Sequence, residues 1–491
     1  MNLDGSSTRA MARSLIPRMA GVSILAPGTA ATFVALIACA LACLSMALQV
    51  PGQVSMDSSI QLYEAFTGQS ISFNPPFMSA LLRWLGGGSV ATALLVLINT
   101  GLLYGGFALA AFSIAQWRTA RGLGHLPAWR VVLAAAVVLN PLVFLYAGIV
   151  WKDVLFASLL SAGGAFTIAA SVGSVYRRAL CGLAALMLLS AALLTRQQGV
   201  FMVPIMVLAV IAALWPARRR QGICISIAVI AVFLAMVTTL QHQVETSIKP
   251  PATDGTTLGL RSLMTFDLAG MVSHSPRPAD EYVLPITQAQ LSAVRAVYTP
   301  ERVDTLSHTP IVQAWTGRLT HEEMKSAWWA MLKQNPNAYL AHRIAVFSKL
   351  MGLDGIEGTL PIHIGIEGNA GYLRQIGMEE GRTQRTQLIY DLARYHFSSP
   401  IYRHAFWLAM LGVIMICGAC ARLPKRLSVI GILIAIATLT MYASYLPTAI
   451  AADFRYLFGA IPLVMLLALI VLLGGTRQPA AGLAEPRQVG L

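Results

Sequence analysis

Ten strongly apolar stretches, each near the length of a bilayer crossing, divide the chain. A transmembrane helix needs about 20 mainly apolar residues. Such spans can be drawn at 25–49, 89–116, 131–149, 153–174, 179–194, 199–215, 221–240, 404–421, 427–446 and 456–474. With 56% apolar and 11% charged residues, the chain lies outside the range of soluble domains. The sequence predicts an all-α polytopic membrane protein of about ten transmembrane helices.

Basic residues around the spans predict the orientation of the chain. They precede the first span and follow the second, fourth, sixth, eighth and tenth: Arg9, Arg13, Arg18, Arg118, Arg121, Arg130, Arg177, Arg178, Arg218, Arg219, Arg220, Arg422, Lys425, Arg426, Arg477 and Arg487. On that side they face only Asp4 and Glu485, which accounts for the whole formal charge of +14. The positive-inside rule places both termini in the cytoplasm. Because these residues are scattered over separate turns, the high pI reflects topology and excludes nucleic-acid binding.

The spans divide the chain into five parts. They are a cytoplasmic N-terminus at 1–24, a seven-span module at 25–240 with an exterior loop at 50–88, an exterior domain at 241–403, a three-span module at 404–475 and a cytoplasmic tail at 476–491. The exterior domain is expected to be mainly helical. Thr320-His-Glu-Glu323 resembles a capping box, and Asn335-Pro336 interrupts an apolar helical pattern, which predicts a hairpin of two helices.

Four short exterior loops carry isolated charges. Their charged residues are Asp57, Glu64, Arg83, Lys152, Asp153, Arg196, Asp453 and Arg455. Ionisable groups near membrane depth are costly unless they line a wet cavity. We therefore expect these loops to contribute to one shared exterior site.

Structural alternatives remain open for several of these residues. Asp57 is placed to be a helix N-cap, and Lys152 could anchor the chain at the headgroups beside an interfacial tryptophan. Arg196 could contact lipid headgroups, and Asp453 could form a structural salt bridge. No His or Cys spacing predicts metal ligands, since Cys417-x-x-Cys420 has no second pair.

Several short motifs carry a family resemblance. Asp57 is followed in its loop by Tyr63 and a Pro-Pro step, Thr195–Gly199 reads T-R-x-x-G, and Asp453–Tyr456 reads D-x-R-Y. In this order and on this side of the membrane, they resemble the polytopic glycosyltransferases of superfamily C. The Lys152-Asp153 turn fits a second acidic position common in that family. The resemblance covers roughly 25–240 and 404–475.

The resemblance implies a function and a site. The donor would be a polyprenyl-phosphate-linked sugar, the acceptor a cell-envelope glycan, a lipid or a protein, and transfer would occur on the exterior face of the lipid bilayer. The compact Arg-rich turns indicate a bacterial inner membrane, in which this face is periplasmic. Transfer needs a base for the acceptor hydroxyl and cations for the departing phosphate. Asp57 is the candidate base, which predicts inversion. The candidate phosphate ligands are Arg196, Lys152 and Arg455, and the supporting or acceptor-side residues are Asp153, Asp453, Glu64, Tyr63 and Tyr456.

A cofactor and two other functions stay open. Some relatives have two neighbouring acids where this chain has Asp57 alone, which leaves the need for Mg²⁺ or Mn²⁺ undecided. A lipid-linked polysaccharide ligase or polymerase would also use a lipid-linked donor, but it should rely on exterior Arg and His more than on an acid. A lipid or polysaccharide transporter usually has internal repeats with broken helices, and the two halves of this chain show no convincing pairing.

Overall fold

The computed structural model describes residues 24–216, 218–250, 255–421 and 423–476. The predicted cytoplasmic N-terminus, except Ile24, and the predicted tail, except Thr476, lie outside these residues. The described chain is built from helices. Its one named sheet is a two-stranded antiparallel ribbon of β1 (Ile24–Leu25) and β2 (Leu126–Pro127).

The first part of the chain contains most of the predicted spans. Its helices are α1 (Pro27–Gln49), α2 (Met56–Thr67), α3 (Phe77–Trp84), α4 (Gly88–Ala120), α5 (Ala128–Val138), α6 (Pro141–Ala147), α7 (Lys152–Ala170), α8 (Val175–Thr195), α9 (Gly199–Leu214) and α10 (Arg219–Ser247). The third span consists of α5 and α6, because Pro141 breaks the helix and Asn140 caps the second half. The last of these helices runs to Ser247, beyond the predicted span end at 240.

A mainly helical domain follows, which we call the inter-span domain (residues 248–403). Its α-helices are α11 (Gly255–His274), α12 (Gln288–Val297), α13 (Asp304–Ser307), α14 (Pro310–Val312), α15 (His321–Gln334), α16 (Pro336–Met351), α17 (Ala370–Gln375) and α18 (Gln384–Tyr395). The predicted capping box is confirmed, since the Thr320 and Glu323 side chains each bond the other's backbone N–H. The predicted hairpin is α15 and α16, which meet at Asn335.

The chain ends with α19 (His404–Cys420), α20 (Lys425–Thr448), a 3₁₀ turn (Phe454–Leu457) and α21 (Ala460–Gly474). Among the described residues, eight helical segments are long and apolar enough to cross a bilayer, and α9 and α19 are shorter apolar helices. These ten segments lie at the ten predicted positions. The predicted fold class is therefore confirmed as a polytopic helical membrane protein with a mainly helical domain between its seventh and eighth spans.

Helices α7 and α21 form the centre of the membrane part, because nearly all of their residues are buried. Small residues let neighbouring helices approach α7 closely. A Cβ on Gly164 would lie 2.8 Å from Leu466 of α21, and one on Gly106 of α4 would lie 3.4 Å from the Cα of Ala162. This packing fixes where the first residues of α7 lie at the predicted exterior end.

The inter-span domain is bonded to the segment that connects α20 with the 3₁₀ turn. The Val303 amide donates to the Ile450 carbonyl at 2.9 Å, and the Phe454 amide donates to the Thr359 carbonyl at 2.7 Å. Arg343, buried in α16, donates to the Ala449 carbonyl at 2.7 Å. The domain therefore holds the backbone that carries Asp453 and Arg455.

Candidate active site

The loop between α1 and α4 presents Asp57 from the start of α2. Ser55 is the N-cap of this helix, since its hydroxyl accepts from the Ser58 amide, and Asp57 is its second residue. The N-cap alternative for Asp57 is therefore wrong. A carboxylate in the first turn still interacts favourably with the helix dipole. Gly68 ends the helix with φ of 73°, a left-handed conformation that favours glycine.

Asp57 forms one end of a chain of alternating charges. Arg455 donates to the Asp57 carboxylate at 2.7 Å and also contacts Asp453 at 3.2 Å. Asp453 in turn lies 3.4 Å from Arg302 of the inter-span domain. Asp57 is 40% exposed whereas Asp453 is 6% exposed. Of these two carboxylates, Asp57 is therefore the one that a substrate can reach.

Arg196 and Asp153 form a second ion pair near the first. Arg196, at the end of α8, forms an ion pair with Asp153 in the first turn of α7, and both side chains are buried. Arg196 also donates to the Tyr445 hydroxyl and, at 3.3 Å, to the Gln198 side chain. Of the adjacent Lys152 and Asp153, the carboxylate is thus the one that points inward.

Lys152 faces the loop between α2 and α3. Its ammonium donates to the Asn74 side-chain oxygen and lies 6.0 Å from the centre of the Phe73 ring. Asn74, which directly precedes the Pro-Pro step of the predicted motif, thus contributes a ligand for this cation. These contacts are with protein groups, whereas the interfacial-anchor alternative places the Lys152 ammonium among lipid headgroups.

Aromatic rings separate and orient the two arginines. Tyr456 lies within 5.4 Å of the Arg196 guanidinium and 5.7 Å of the Arg455 guanidinium, and it stacks on Tyr445. Trp151 lies 4.9 Å below Arg455. Cation–π contacts of this kind are attractive and hold each guanidinium in one plane. Both cations are thereby positioned before any ligand binds.

Glu64 and Tyr63, predicted to support the site or the acceptor, have other partners. The Glu64 carboxylate is buried and accepts from the Ile71 and Ser72 amides at 2.8 and 2.9 Å and from the Ser79 hydroxyl at 2.6 Å. Tyr63 stacks on Tyr372 of the inter-span domain. Glu64 therefore fixes the loop that carries Asn74, and Tyr63 contacts the domain.

The carboxylates of Asp57 and Asp453 differ in their electrostatic surroundings. Burial raises the pKa of Asp57, but the charges of Arg455, Lys152 and Arg196 outweigh it, so this pKa lies below its ordinary value of 3.8. For Asp453, burial dominates over the nearby Arg455 and Arg302, and its pKa is raised. Asp57 is thus an ionised acceptor of hydrogen bonds at neutral pH.

The residues present do not form a ready site for Mg²⁺ or Mn²⁺. Among the described residues, no three His, Cys, Asp or Glu side chains are grouped as metal ligands would be. The two neighbouring carboxylates, Asp57 and Asp453, already share the Arg455 guanidinium. Divalent cations of this class require several oxygen ligands, which this pair of carboxylates does not offer.

A cavity of about 440 Å³ opens beside the cations. Its polar lining includes Arg196, Asn74 and Gln197 and, on α10, the Glu245 side chain, and apolar residues of α8 and α10, among them Leu193 and Val244, line much of the rest. The polar lining lies at the predicted exterior end, where α8 ends. This shape is suited to an amphipathic molecule with an anionic head.

Sequence reasoning missed several residues of this cluster. Arg302 lies in a domain with many charges and has no local motif, and Tyr445 reads as an ordinary interfacial tyrosine in α20. Trp151 was considered only as a member of the aromatic belt. Their proximity to Arg196 and Arg455 depends on helix packing, which a single sequence does not display.

Comparison with known proteins gives limited information. No family model matches the chain, and no curated protein matches it. Two solved structures are similar, both of ArnT from Cupriavidus metallidurans: the apo state, with 14% identity and a TM-score of 0.33, and the form bound to undecaprenyl phosphate, with 16% and 0.32. Each match covers 90% of this chain and 78% of that protein. Scores of this size establish no common function.

Proposed function

We propose that this protein is a membrane glycosyltransferase of the superfamily C type, located in a bacterial inner membrane. It moves a sugar from a polyprenyl-phosphate donor to a hydroxyl of a glycan, lipid or protein acceptor at the periplasmic face. One observation carries the proposal. The exposed Asp57 carboxylate lies 2.7 Å from Arg455, and the charges of Lys152 and Arg196 also act on it.

The cation cluster suits the leaving group of this reaction. When the bond between the anomeric carbon and the phosphate oxygen breaks, the phosphate gains negative charge, and preorganised cations stabilise that charge. Lys152 and Arg455 each have part of their surface exposed, whereas Arg196 reaches a ligand through the cavity it lines. The apolar walls of that cavity suit the first isoprene units of the donor.

Asp57 is proposed as the base. The acceptor hydroxyl attacks the anomeric carbon on the face opposite to the phosphate, which inverts the configuration, and its proton passes to Asp57. Arg455 donates a hydrogen bond to one oxygen of the Asp57 carboxylate at 2.7 Å. A donor phosphate that attracts Arg455 would release this carboxylate, which couples donor binding to base activation.

Assays of donor binding and sugar transfer with defined donors test the proposal. Purified protein is incubated with a panel of radiolabelled polyprenyl-phosphate sugars and a membrane extract, and donor binding and sugar transfer are measured for the wild type and Asp57→Asn. We expect both proteins to bind one donor, and only the wild type to transfer sugar. Asp280→Asn, an exposed acid of the inter-span domain, is the matched control and should keep full activity.

Two results would contradict the proposal. Full transfer by Asp57→Asn would remove Asp57 as the base. Neither binding nor transfer with any donor, by a wild-type protein that is folded in detergent, would refute glycosyl transfer and favour the transporter alternative.

A further inference from the structure

A second cavity lies at the predicted cytoplasmic end, away from the candidate active site. The ends of α4 and α9 and the start of α20 surround a space of about 730 Å³. Its rim carries Arg121, Lys425 and Arg426, and Trp117 and Trp215 stand beside them. Its inner wall is apolar and includes Leu208, Ile211 and Val429. The cavity therefore combines three cations with an apolar floor inside the membrane part.

The positive charge of this cavity has no compensating acid among the described residues. No carboxylate of residues 24–216, 218–250, 255–421 or 423–476 is in ion-pair contact with Arg121, Lys425 or Arg426. Arg178 and Arg121 are instead close enough to Arg426 to repel its charge. Like charges held together in a recess with apolar walls focus a positive field that attracts an anion.

Neighbouring basic residues at the same end serve the fold. Arg118 donates to the Gly475 carbonyl at 3.2 Å, and Arg130 donates to the same carbonyl at 2.6 Å, so both cap the end of α21. In the cavity, Arg426 donates to the Trp215 carbonyl at 2.7 Å and so caps the end of α9, while Arg121 lies over the Trp117 ring at 5.2 Å. Helix capping therefore accounts for part of the role of Arg426 but not for Arg121 or Lys425.

We propose that this cavity binds the phosphodiester headgroup of an anionic phospholipid of the cytoplasmic leaflet. The cations would contact the phosphate, and the apolar floor would contact the upper part of an acyl chain. Tryptophan is enriched at the depth of lipid headgroups, and basic pockets between transmembrane helices on the cytoplasmic side suit anionic lipids. The volume lies within the range of about 300–1,000 Å³ that is usual for small-molecule sites.

Native mass spectrometry of the full chain in detergent tests this proposal. The protein is mixed with phosphatidylglycerol, phosphatidylcholine or inorganic phosphate, and retained lipid is counted. We expect the wild type to retain phosphatidylglycerol in preference to phosphatidylcholine. Each cation near a lipid surface contributes about fivefold to affinity, so Arg121→Gln/Lys425→Gln should weaken retention by roughly 25-fold.

Two further variants separate the cavity from general surface charge. Arg219→Gln/Arg220→Gln removes the same charge from exposed positions at the same end, and it should retain phosphatidylglycerol like the wild type. Ala212→Phe keeps every cation but fills the cavity that Ala212 lines, and it should lose retention. Melting temperatures in zwitterionic detergent show whether each variant is folded.

Three outcomes would overturn the proposal. The first is equal retention of both phospholipids by the wild type. The second is equal loss by the Arg219→Gln/Arg220→Gln control, which would assign the effect to net charge. The third is displacement of phosphatidylglycerol by inorganic phosphate at the same concentration, which would indicate a site for a soluble anion.

Discussion

Arg196 and Asp153 form an ion pair in which both side chains are almost completely buried, at the point where the start of α7 meets the end of α8. Each side chain compensates the charge of the other, which would otherwise be too costly to bury. Removing one partner of such a pair leaves an uncompensated buried charge, which typically costs about 3–5 kcal/mol. The pair therefore supports the position of Lys152, the neighbour of Asp153, as well as that of Arg196.

The first prediction is a double-mutant cycle on this pair. Asp153→Asn and Arg196→Gln should each lower the free energy of unfolding by about 3 kcal/mol or more, measured by denaturant titration in detergent. The double variant should recover part of the loss, because both charges are absent. Additive losses, or single losses below about 1 kcal/mol, would contradict the buried pair.

The second prediction concerns Glu64. In Glu64→Gln, the amide can keep its oxygen on the Ile71 and Ser72 N–H groups and donate its nitrogen to the Ser79 hydroxyl, but the charge that strengthens these bonds is lost. Replacing buried hydrogen bonds to a charged group by neutral ones should cost about 1–3 kcal/mol. Denaturant titration measures the loss, and limited proteolysis at residues 69–79 reports the loosened loop.

A matched substitution controls for the charge change of Glu64→Gln. Glu245, near the end of α10, is exposed and accepts one hydrogen bond from Gln241. Glu245→Gln should change the free energy of unfolding by less than about 0.5 kcal/mol. An equal effect of the two substitutions would show that Glu64 does not organise the loop.

The third prediction tests the core of the inter-span domain. His342 is buried against Gly270, and a Cβ at position 270 would lie 2.1 Å from the His342 ring. His342 cannot easily move, since it contacts Asp267 at 3.2 Å and Tyr298 at 2.8 Å. Gly270→Ala should therefore destabilise the protein by about 1–3 kcal/mol.

Gly101→Ala is the control for the glycine experiment. No heavy atom lies within 4 Å of a Cβ built on Gly101, which is inside helix α4. Replacing a helical glycine by alanine should stabilise the protein by roughly 0.5–1 kcal/mol. Thermal melting of both variants should thus give shifts of opposite sign, and shifts of the same sign would contradict the packing around His342.

The sequence predicted the features that depend on local patterns. Apolar length predicts the ten spans, and the spacing of Thr320 and Glu323 predicts the start of α15. The charged residues of the short loops were expected to share a site, and most of them do lie together. Their individual partners were not predictable, because the Asp153–Arg196 and Asp57–Arg455 contacts join distant parts of the chain.

Two residues show what a single sequence leaves undetermined. Glu64 is predicted to be a supporting or acceptor-side residue because charges near membrane depth are costly unless they line a site, and in the folded loop its carboxylate is surrounded by hydrogen-bond donors. Arg302 carries no motif, yet it lies 3.4 Å from Asp453 because the inter-span domain folds over the 3₁₀ turn. The role of Glu64 depends on its burial and that of Arg302 on a tertiary contact, and a single sequence displays neither.

The last prediction concerns pH. The pKa of Asp57 is lowered from 3.8 because its charged form is favoured by Arg455 and, more weakly, by Lys152 and Arg196, against the opposing effect of burial. The stabilisation from the Arg455 pair is therefore complete above the ordinary pKa and is lost as the pH falls through the lower folded value. If Asp57 is the base, kcat/KM for sugar transfer should decline on the acid side only below about pH 4.

Arg455→Gln should move this acid limb to higher pH, because burial would then raise the Asp57 pKa with less opposition. The rate should also fall at every pH, since a phosphate ligand is lost. Arg302→Gln serves as the control, because Arg302 acts on Asp453, and it should leave the acid limb in place. An unchanged limb in Arg455→Gln would show that a group other than Asp57 controls the reaction, and the base would have to be sought elsewhere in the cluster.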